Sequence, residues 1–385
     1  MRPVVLCVIG TRPEAVKMAP VVLRLLRERA RVEVRVLATG QHRGLLDQAL
    51  ADFGIRTNAD LDLMRPGQDL AGLTARALEG LSAYLSAERP DLILAQGDTT
   101  TVFATALASH YRQIPFGHVE AGLRTGRAFD PFPEEKNRVL ATHLADLHFA
   151  PTLLARRNLL REGISERDIH LTGNTVIDAL KWTAERECPL PLTPATERFV
   201  LVTVHRRESF GPPLERVCEA LRSLVERNGS ISIVWPVHPN PSVREAVARC
   251  LKAHERIRLT EPLAYPPFVA LMKASALILT DSGGIQEEAP SLGKDVLVLR
   301  ATTERPEALE AGTIRLVGTD PGTIVAKTEE LLAGVGQKPQ SRWVTANPYG
   351  DGWASERIAR VVLARFGFEA GAVPAGFPAA WPSLG

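Results

Sequence analysis

The stretch TDSGGIQEEAPSLGKDVLVLRATTERPE, residues 280–307, indicates how the chain around it folds. An apolar run at residues 276–279 precedes it and is typical of a buried strand. Gly283 and Gly284 then open a helix that starts IQEEA, and a second apolar run follows at residues 296–299. A strand, a tight turn, a helix and another strand in this order are typical of a doubly wound α/β sheet.

The same stretch has the features of an anion-binding turn. Ser282, Gly283 and Gly284 follow the first strand, so backbone N–H groups and the positive end of the helix dipole would face a ligand. Glycine lets the main chain approach a phosphate closely. Glu288, one turn into the helix, could accept hydrogen bonds from ribose hydroxyls. A plain glycine turn beside a solvated charge cluster is the alternative, but the TTERPE motif at 302–307 favours the site.

Composition limits the class of protein. A chain of 385 residues suits two domains of usual size. Its 46 basic and 44 acidic residues give a net charge of +2, so no general attraction to nucleic acid or membrane is expected. The four cysteines are far apart, which favours free thiols in a reducing cytosol. We find neither a leader pattern nor an apolar run of about 18 residues, and we expect a cytoplasmic protein.

The alternation of strands and helices continues through both halves of the chain. A strand at 4–9 is followed by a turn at Gly10 and a helix, and the pattern restarts at 199–204 after a Pro-rich stretch at 188–197. Gly10 stands alone rather than in G-x-G-x-x-G, so no NAD site is predicted. We therefore predict two Rossmann-like, doubly wound α/β domains that face each other across a cleft. The predicted bounds are 1–172 for the first domain, 173–353 for the second, 354–368 for a last helix and 369–385 for a loose tail.

Carboxylates follow several predicted strands or turns of the first domain. Asp98, Glu120 and Glu134 come from different strand ends or from the helix start after them, so we expect them on one rim of the sheet. Neighbouring carboxylates can have their pKa values pushed apart, so that one acts as base and another as acid. This chemistry suits proton removal from carbon and protonation of a leaving group. Cations that could stabilise a departing diphosphate are also present: Arg12, Lys17 and Arg138.

Each of these residues also has a purely structural interpretation. Asp98 could cap the helix that follows it, and Glu134 could favour a helix start by its charge alone. Arg138 could pair with Glu134 at the i,i+4 spacing. His118 shares a strand face with Glu120, but without a third ligand in the sequence a core histidine is favoured over a metal ligand.

Three residues of the predicted second domain likewise have both a functional and a structural interpretation. His205 follows a strand and precedes two arginines, which suits an anion contact or a surface basic cluster. Phe268 could stack on a nucleotide base, although its spacing favours the core. His238 lies between prolines, and its pattern favours neither interpretation.

Ten motifs, in order over most of the chain, resemble the non-hydrolysing UDP-N-acetylglucosamine 2-epimerases. Each motif alone is weak, and together they are highly specific. They are GTRPEAVKMAP (10–20), QGDTTT (96–101), HVEAGLRT (118–125), PFPEEKNR (131–138), LTGNTVIDAL (171–180), HRRE (205–208), PVHPNP (236–241), TDSGGIQEEAPSLGK (280–294), TTERPE (302–307) and NPYGDGWASERI (347–358).

The resemblance implies a GT-B type fold whose last helix crosses back to the first domain, and a homodimer. It implies reversible conversion of UDP-GlcNAc to UDP-ManNAc with neither NAD nor a metal, that is, with no cofactor. The route would be elimination of UDP to a 2-acetamidoglucal, followed by re-addition. The implied catalytic residues are Asp98, Glu120, Glu134 and His205. The implied substrate-binding residues are Arg12, Lys17, Arg138, Phe268, Ser282, Gly283, Gly284, Glu288 and Arg305.

The chain departs from the family pattern at several positions. Ser209, Asp295 and Ala301 replace residues that are usually Asn, Pro and Asp. Many bacterial members bind a second UDP-GlcNAc as activator, and here Gly44 and Gly67 stand at positions of that region that are commonly polar. The sequence therefore predicts weak or absent cooperativity. The residues implied for an allosteric site are Gln41, His42, Arg206 and His238.

The sequence is also compatible with three other functions. A GT-B glycosyltransferase would use a UDP-sugar but would need an acceptor site and no set of three carboxylates. A hydrolysing epimerase would release free ManNAc. A nucleotide-sugar-binding regulator would not need Asp98, Glu120 and Glu134.

Overall fold

The computed structural model describes residues 2–369 except 41–42, 66, 207–208, 252–253 and 335–346. The chain divides into two compact units. Unit 1 holds the residues up to Ala179 and those from Tyr349 onward, and unit 2 holds Leu180–Pro348. The breaks predicted from the sequence lie a few residues away, at 172/173 and 353/354. The predicted tail lies, from residue 370 on, outside the described residues.

Unit 1 is built on a parallel sheet. Within the described residues its seven strands have the order β3-β2-β1-β4-β5-β6-β7, and each neighbouring pair is parallel. Its elements begin with β1 Val4–Ile9, α1 Arg12–Leu26, β2 Glu33–Ala38, α2 Arg43–Asp52, β3 Ala59–Asp60, α3 Leu70–Glu88 and β4 Leu92–Gln96. They continue with α4 Thr100–Arg112, β5 Phe116–Val119, α5 Glu134–Leu144, β6 Leu147–Ala150, α6 Leu153–Arg161 and β7 Ile169–Leu171. The next helix, α7 Thr175–Ala184, begins in unit 1 and ends in unit 2.

Unit 2 repeats the same plan. Its six described strands have the order β10-β9-β8-β11-β12-β13 and are parallel. Its elements begin with β8 Arg198–Thr203, α8 Pro212–Arg227, β9 Ile231–Pro236, α9 Pro241–Leu251, β10 Ile257–Thr260 and α10 Tyr265–Ala274. They continue with β11 Leu277–Thr280, α11 Gly283–Glu288, β12 Val296–Val298, α12 Pro306–Glu310, β13 Ile314–Leu316 and α13 Pro321–Gly334.

The strand orders identify where a ligand can bind in each unit. The direction of winding reverses between β1 and β4 in unit 1 and between β8 and β11 in unit 2. Ligands of open α/β sheets bind outside the carboxyl ends of the strands at such a reversal. The SGG turn at 282–284 follows β11 directly, so it lies at the reversal of unit 2. The prediction of two doubly wound α/β units is confirmed.

Burial explains why the strands correspond to continuous apolar runs in the sequence. Helices cover both faces of a parallel sheet, so side chains of both faces are buried. In β1 every residue from Val5 to Ile9 is buried, and β4 and β11 are buried along their whole length. The predicted strand at 276–279 is displaced by one residue, because Thr280 still pairs in the sheet.

The last helix, α14 at Ala354–Arg365, belongs to unit 1 and packs on α1. Arg24 of α1 forms an ion pair with Glu356 of α14. The carboxylate of Asp178 accepts hydrogen bonds from Ala354 N at 3.1 Å, Ser355 N at 2.7 Å and Ser355 Oγ at 2.6 Å. Burial raises the pKa of Asp178 to about 6. The predicted return of the last helix to the first domain is confirmed.

Two further features concern the surface and the thiols. In the described part of the chain, every helix is too short or too polar to span a membrane. The four cysteines are free, as predicted. Burial raises the pKa of Cys7 to about 12, so its thiol stays protonated and unreactive.

Replacing Asp178 by Ala should destabilise unit 1 by about 3 kcal/mol, because one buried and two half-buried donors at the start of α14 lose their acceptor. Urea unfolding followed by circular dichroism measures the loss. Asp69→Ala is the matched control. Asp69 is an exposed helix cap in the same unit and accepts Gly72 N at 2.7 Å, so its loss should cost about 1 kcal/mol. Equal losses in the two variants would contradict the role of Asp178.

Candidate active site

The loops that follow β4 and β5 lie side by side in unit 1. Gly97 N donates to Val119 O at 3.0 Å, and a ring nitrogen of His118, Nε2, lies 2.7 Å from Gly97 O. These contacts bring Asp98 and Glu120, the next residues of the two loops, to the same edge of the sheet. The edge lies beside the reversal of winding at β4.

The side chains of Lys17 and Asn174 hold Glu120. Glu120 Oε2 accepts Lys17 Nζ at 2.6 Å and Asn174 Nδ2 at 2.8 Å. Its backbone lies in the left-handed region, with φ +68°. That region is uncommon for a residue with a side chain and is found at functional sites where the surroundings fix it. Asn174 is not among the residues predicted from the sequence.

Asp98 pairs with a cation and does not cap a helix. Its carboxylate forms an ion pair with Arg138 of α5, and its carbonyl accepts Asn137 Nδ2 at 3.0 Å. Thr99 is the cap of α4, since its hydroxyl accepts Val102 N at 3.4 Å. The interpretation of Asp98 as a helix cap is therefore wrong. The contacts from α5 hold the start of that helix against the β4 loop.

Two successive glutamates at the start of α5 have different surroundings. Glu135 is buried and accepts Thr125 N and Gly126 N, each at 3.0 Å, as well as Arg138 at 3.3 Å. Glu134 is half-buried, and no hydrogen bond to its carboxylate is found within the described residues. Arg138 thus pairs with Asp98 and Glu135, and the i,i+4 pairing with Glu134 is wrong. The Glu134 carboxylate is left for a ligand.

Glu14 is a buried carboxylate of the same edge that was not predicted as a site residue. It accepts Gly10 N at 2.5 Å, Thr11 N at 3.2 Å and Thr99 Oγ1 at 2.6 Å. Burial raises the pKa of Glu14 to about 7, and the negative charge of Asp98 acts in the same direction. Its signal in the sequence is the capping box T-x-x-E at residues 11–14.

The remaining predicted residues of unit 1 are a cation and a histidine. Arg12 is the first residue of α1 and is half-buried. Burial lowers the pKa of Arg12, whereas the negative charge of Asp52 acts in the opposite direction and raises it. His118 is fully buried, and burial lowers its pKa to about 3, so its ring stays neutral. The interpretation of His118 as a core histidine is confirmed. No group of three potential metal ligands is found within the described residues.

A buried aspartate fixes the His205 loop of unit 2. Asp281 follows β11 and accepts His205 N at 3.1 Å, Arg206 N at 2.9 Å and Ser209 Oγ at 2.8 Å. The His205 ring nitrogen Nδ1 lies 3.4 Å from the same carboxylate. Ser209, one of the departures from the family pattern, therefore provides a hydrogen bond to Asp281.

Two guanidinium groups flank the glycine turn after β11. A side chain at Gly283 would come within 3.5 Å of Nη2 of both Arg206 and Arg305. The turn residues Ser282 and Gly284 lie on either side of it. Positive charge and the backbone N–H groups at the start of α11 therefore lie close together, as an anion site requires.

Carboxylates hold these arginines in place. Arg206 and Arg300 each make two hydrogen bonds to Glu304, at 3.2 and 3.3 Å. Burial alone would raise the pKa of Glu304, but the Arg300 hydrogen bond and the nearby arginines lower it. Arg305 pairs with the buried Glu287. Neither Glu287 nor Glu304 was predicted as a site residue, and the motif TTERPE was the only signal for Glu304.

The other predicted residues of unit 2 lie around α10 and β9. Glu288 Oε1 accepts the Tyr265 hydroxyl at 2.5 Å, which presents a carboxylate beside Gly284. Phe268 is half-buried on the same helix, α10. His238 Nδ1 accepts Asn240 N at 3.2 Å. The implied allosteric residues Gln41 and His42 lie outside the described residues.

Comparisons with known proteins agree over nearly the whole chain. The family model described as UDP-N-acetylglucosamine 2-epimerase matches residues 24–363. A Salmonella typhimurium protein with that name is 52% identical over 369 residues, which cover 93% of this chain and 98% of its own. A solved structure from Listeria monocytogenes is 45% identical, with TM-score 0.88, and the match covers 97% of this chain and 100% of the other. The UDP-GlcNAc 2-epimerase from Neisseria meningitidis, solved bound to UDP-GlcNAc, is 43% identical with TM-score 0.83, covering 94% and 100%. The chain therefore belongs to the UDP-N-acetylglucosamine 2-epimerase family.

Proposed function

We propose that this protein interconverts UDP-GlcNAc and UDP-ManNAc as a non-hydrolysing 2-epimerase. The observation that carries the proposal is the pair of adjacent loops that present Asp98 and Glu120, each carboxylate held by a cation. The activity named for the Salmonella relative and the UDP-GlcNAc bound in the Neisseria structure support the choice of substrate.

The groups of unit 2 suit a nucleoside diphosphate. The guanidinium groups of Arg206 and Arg305 beside Gly283 would neutralise phosphate oxygens. His205 lies on the loop that Asp281 fixes, and it would add a further donor. Glu288 would accept ribose hydroxyls, since one of its oxygens already accepts Tyr265 and the other faces Gly284.

The groups of unit 1 suit proton transfer at C2 of the sugar. In the forward direction a carboxylate removes the C2 proton, the C1–O bond breaks, and UDP leaves with the bonding electron pair. The intermediate is a 2-acetamidoglucal. A proton then adds to C2 from the opposite face, and UDP re-forms the C1–O bond. In this route one proton leaves C2 and one is added to it, the C1–O bond breaks and re-forms, and no hydride is transferred.

The contacts of the carboxylates suit different parts in this route. Glu120 has a fixed direction, because Lys17 and Asn174 both hold Oε2. Glu134, with no hydrogen bond within the described residues, can take or give a proton without breaking a contact. Arg138 forms an ion pair with Asp98 and so holds that carboxylate in place.

Incubation of the protein with UDP-GlcNAc in D₂O, followed by NMR, tests the function. We expect reversible formation of UDP-ManNAc with deuterium at C2, because the proton that returns to C2 comes from a group that exchanges with solvent. Free ManNAc would instead indicate a hydrolysing epimerase. Sugar transfer only with an added acceptor would indicate a glycosyltransferase, and absence of turnover would indicate a regulator.

Asp98→Asn, Glu120→Gln and Glu134→Gln should each lower kcat by about 10²–10⁴-fold, because each removes a group that can carry a proton. Calorimetry should give a nearly unchanged Kd for UDP, since the proposed UDP contacts are in unit 2. Glu79→Gln, an exposed glutamate of α3, is the control and should keep the full rate. Near-normal rates in all three site variants would refute the assignment.

Gly283→Ala should weaken UDP binding by about 10-fold, because the methyl group would lie where a phosphate oxygen approaches the two arginines. That factor corresponds to about 1.4 kcal/mol. The variant should fold, since the methyl would meet its neighbours at 3.5 Å, an ordinary contact distance. Gly229→Ala is the control, because nothing lies within 4 Å of a side chain there. Equal Kd values for UDP in both variants would contradict the placement of the diphosphate.

A further inference from the structure

A buried asparagine beside Glu120 has no chemical part in the route described above. Asn174 lies between β7 and α7 and is 2% exposed. Its Nδ2 donates to Glu120 Oε2 at 2.8 Å, and Lys17 Nζ donates to the same oxygen at 2.6 Å. One oxygen of the carboxylate is thus held from two directions, by α1 and by the loop after β7.

The surroundings of Asn174 fix the direction of its side chain. Asn174 Oδ1 accepts Val176 N at 3.1 Å, and Asn174 N donates to Tyr349 O at 2.6 Å. Rotating the amide by half a turn would set Oδ1 against the Glu120 carboxylate and Nδ2 against the Val176 N–H, and both bonds would be lost. Tyr349 is fully buried, so its carbonyl is a rigid anchor.

The backbone of Glu120 makes such a restraint necessary. A side chain that starts from a left-handed residue, here at φ +68°, leaves the strand in a direction that an extended residue would not give it. The next residue, Ala121, returns to the sheet, since its N–H donates to Phe149 O at 3.0 Å. The backbone therefore sets the direction in which the side chain leaves the strand, and the donors from Lys17 and Asn174 fix the carboxylate at its other end.

We propose that Asn174 is a positioning residue for Glu120: it holds the carboxylate in its reactive orientation and does not contact the sugar. The proposal rests on the function proposed above, in which Glu120 takes part in proton transfer at C2. Without the amide, the carboxylate loses one of the contacts that fix its orientation. A displacement of about 1 Å in a reacting group can cost on the order of 100-fold in rate.

The first test is Asn174→Ala. We expect kcat to fall by about 30–100-fold, with KM and the Kd for UDP changed less than about 2-fold, because the proposed UDP contacts lie in unit 2. Thr175→Val is the matched control. Thr175 is the next residue, it is buried, and its hydroxyl has no hydrogen-bond partner within the described residues. The control should keep the wild-type kcat.

The second test is Asn174→Asp, which keeps the shape of the side chain and remains informative if the alanine variant does not fold. It places a second carboxylate against Glu120, and two such groups bind a shared proton more tightly than one. Among the residues that the structure describes, Lys17 from α1 and His118 from β5 face Glu120, and His118 stays neutral. We therefore expect the acidic limb of the kcat–pH profile to move to higher pH.

The outcomes separate this proposal from the function on which it rests. Wild-type kcat in Asn174→Ala, or an unchanged pH profile in Asn174→Asp, would overturn the positioning role. A loss of kcat in Thr175→Val equal to that in Asn174→Ala would also overturn it, since the loss would then come from disturbance of the turn. A wild-type protein that forms no UDP-ManNAc would overturn the proposed function instead.

Discussion

A carboxylate that is removed from water must accept hydrogen bonds, and this constraint fixes the loops of both units. Glu14 accepts the backbone of the β1–α1 turn and the hydroxyl of the β4–α4 turn. Asp281 accepts hydrogen bonds from backbone N–H groups of the loop after β8. Glu135 holds the loop at residues 125–126. Each buried acid therefore positions loops at the carboxyl edge of a sheet, where ligands of this fold bind.

The kind of partner distinguishes these supporting acids from the proposed reacting ones. Asp281 and Glu14 accept mainly backbone N–H groups, which cannot move away without unfolding the loop. Asp98 accepts a side-chain cation, whose contact can rearrange when a charged substrate arrives, whereas Glu120 is held by the side chains of Lys17 and Asn174. An acid of the first kind keeps its geometry through a reaction cycle, whereas one of the second kind can exchange a partner or a proton.

The fold and the position of the candidate carboxylates after their strands could be predicted from the sequence, because both depend on local patterns. Apolar runs, glycine turns and polar residues after strands indicated the sheets, and the sequence placed Asp98 and Glu120 directly after their strands. The supporting residues could not be found in this way. Asn174 is linked to Glu120, and Asp281 to His205, only because strands distant in the sequence are brought together. The interpretation of Asp98 as a helix cap was wrong for a local reason, because the next residue, Thr99, caps α4.

In the proposed reaction, restraint of Glu120 before the substrate arrives would affect the rate directly. A left-handed backbone costs about 1–3 kcal/mol and persists only where surrounding contacts compensate for it. The contacts around Glu120 include the Lys17 and Asn174 donors, which also fix the carboxylate. The loss of side-chain freedom is therefore incurred on folding and not at the transition state. A reacting group that is fixed in advance loses less entropy at the transition state, which lowers the activation barrier. The left-handed backbone of Glu120 and the hydrogen bonds to its carboxylate would therefore serve the same purpose.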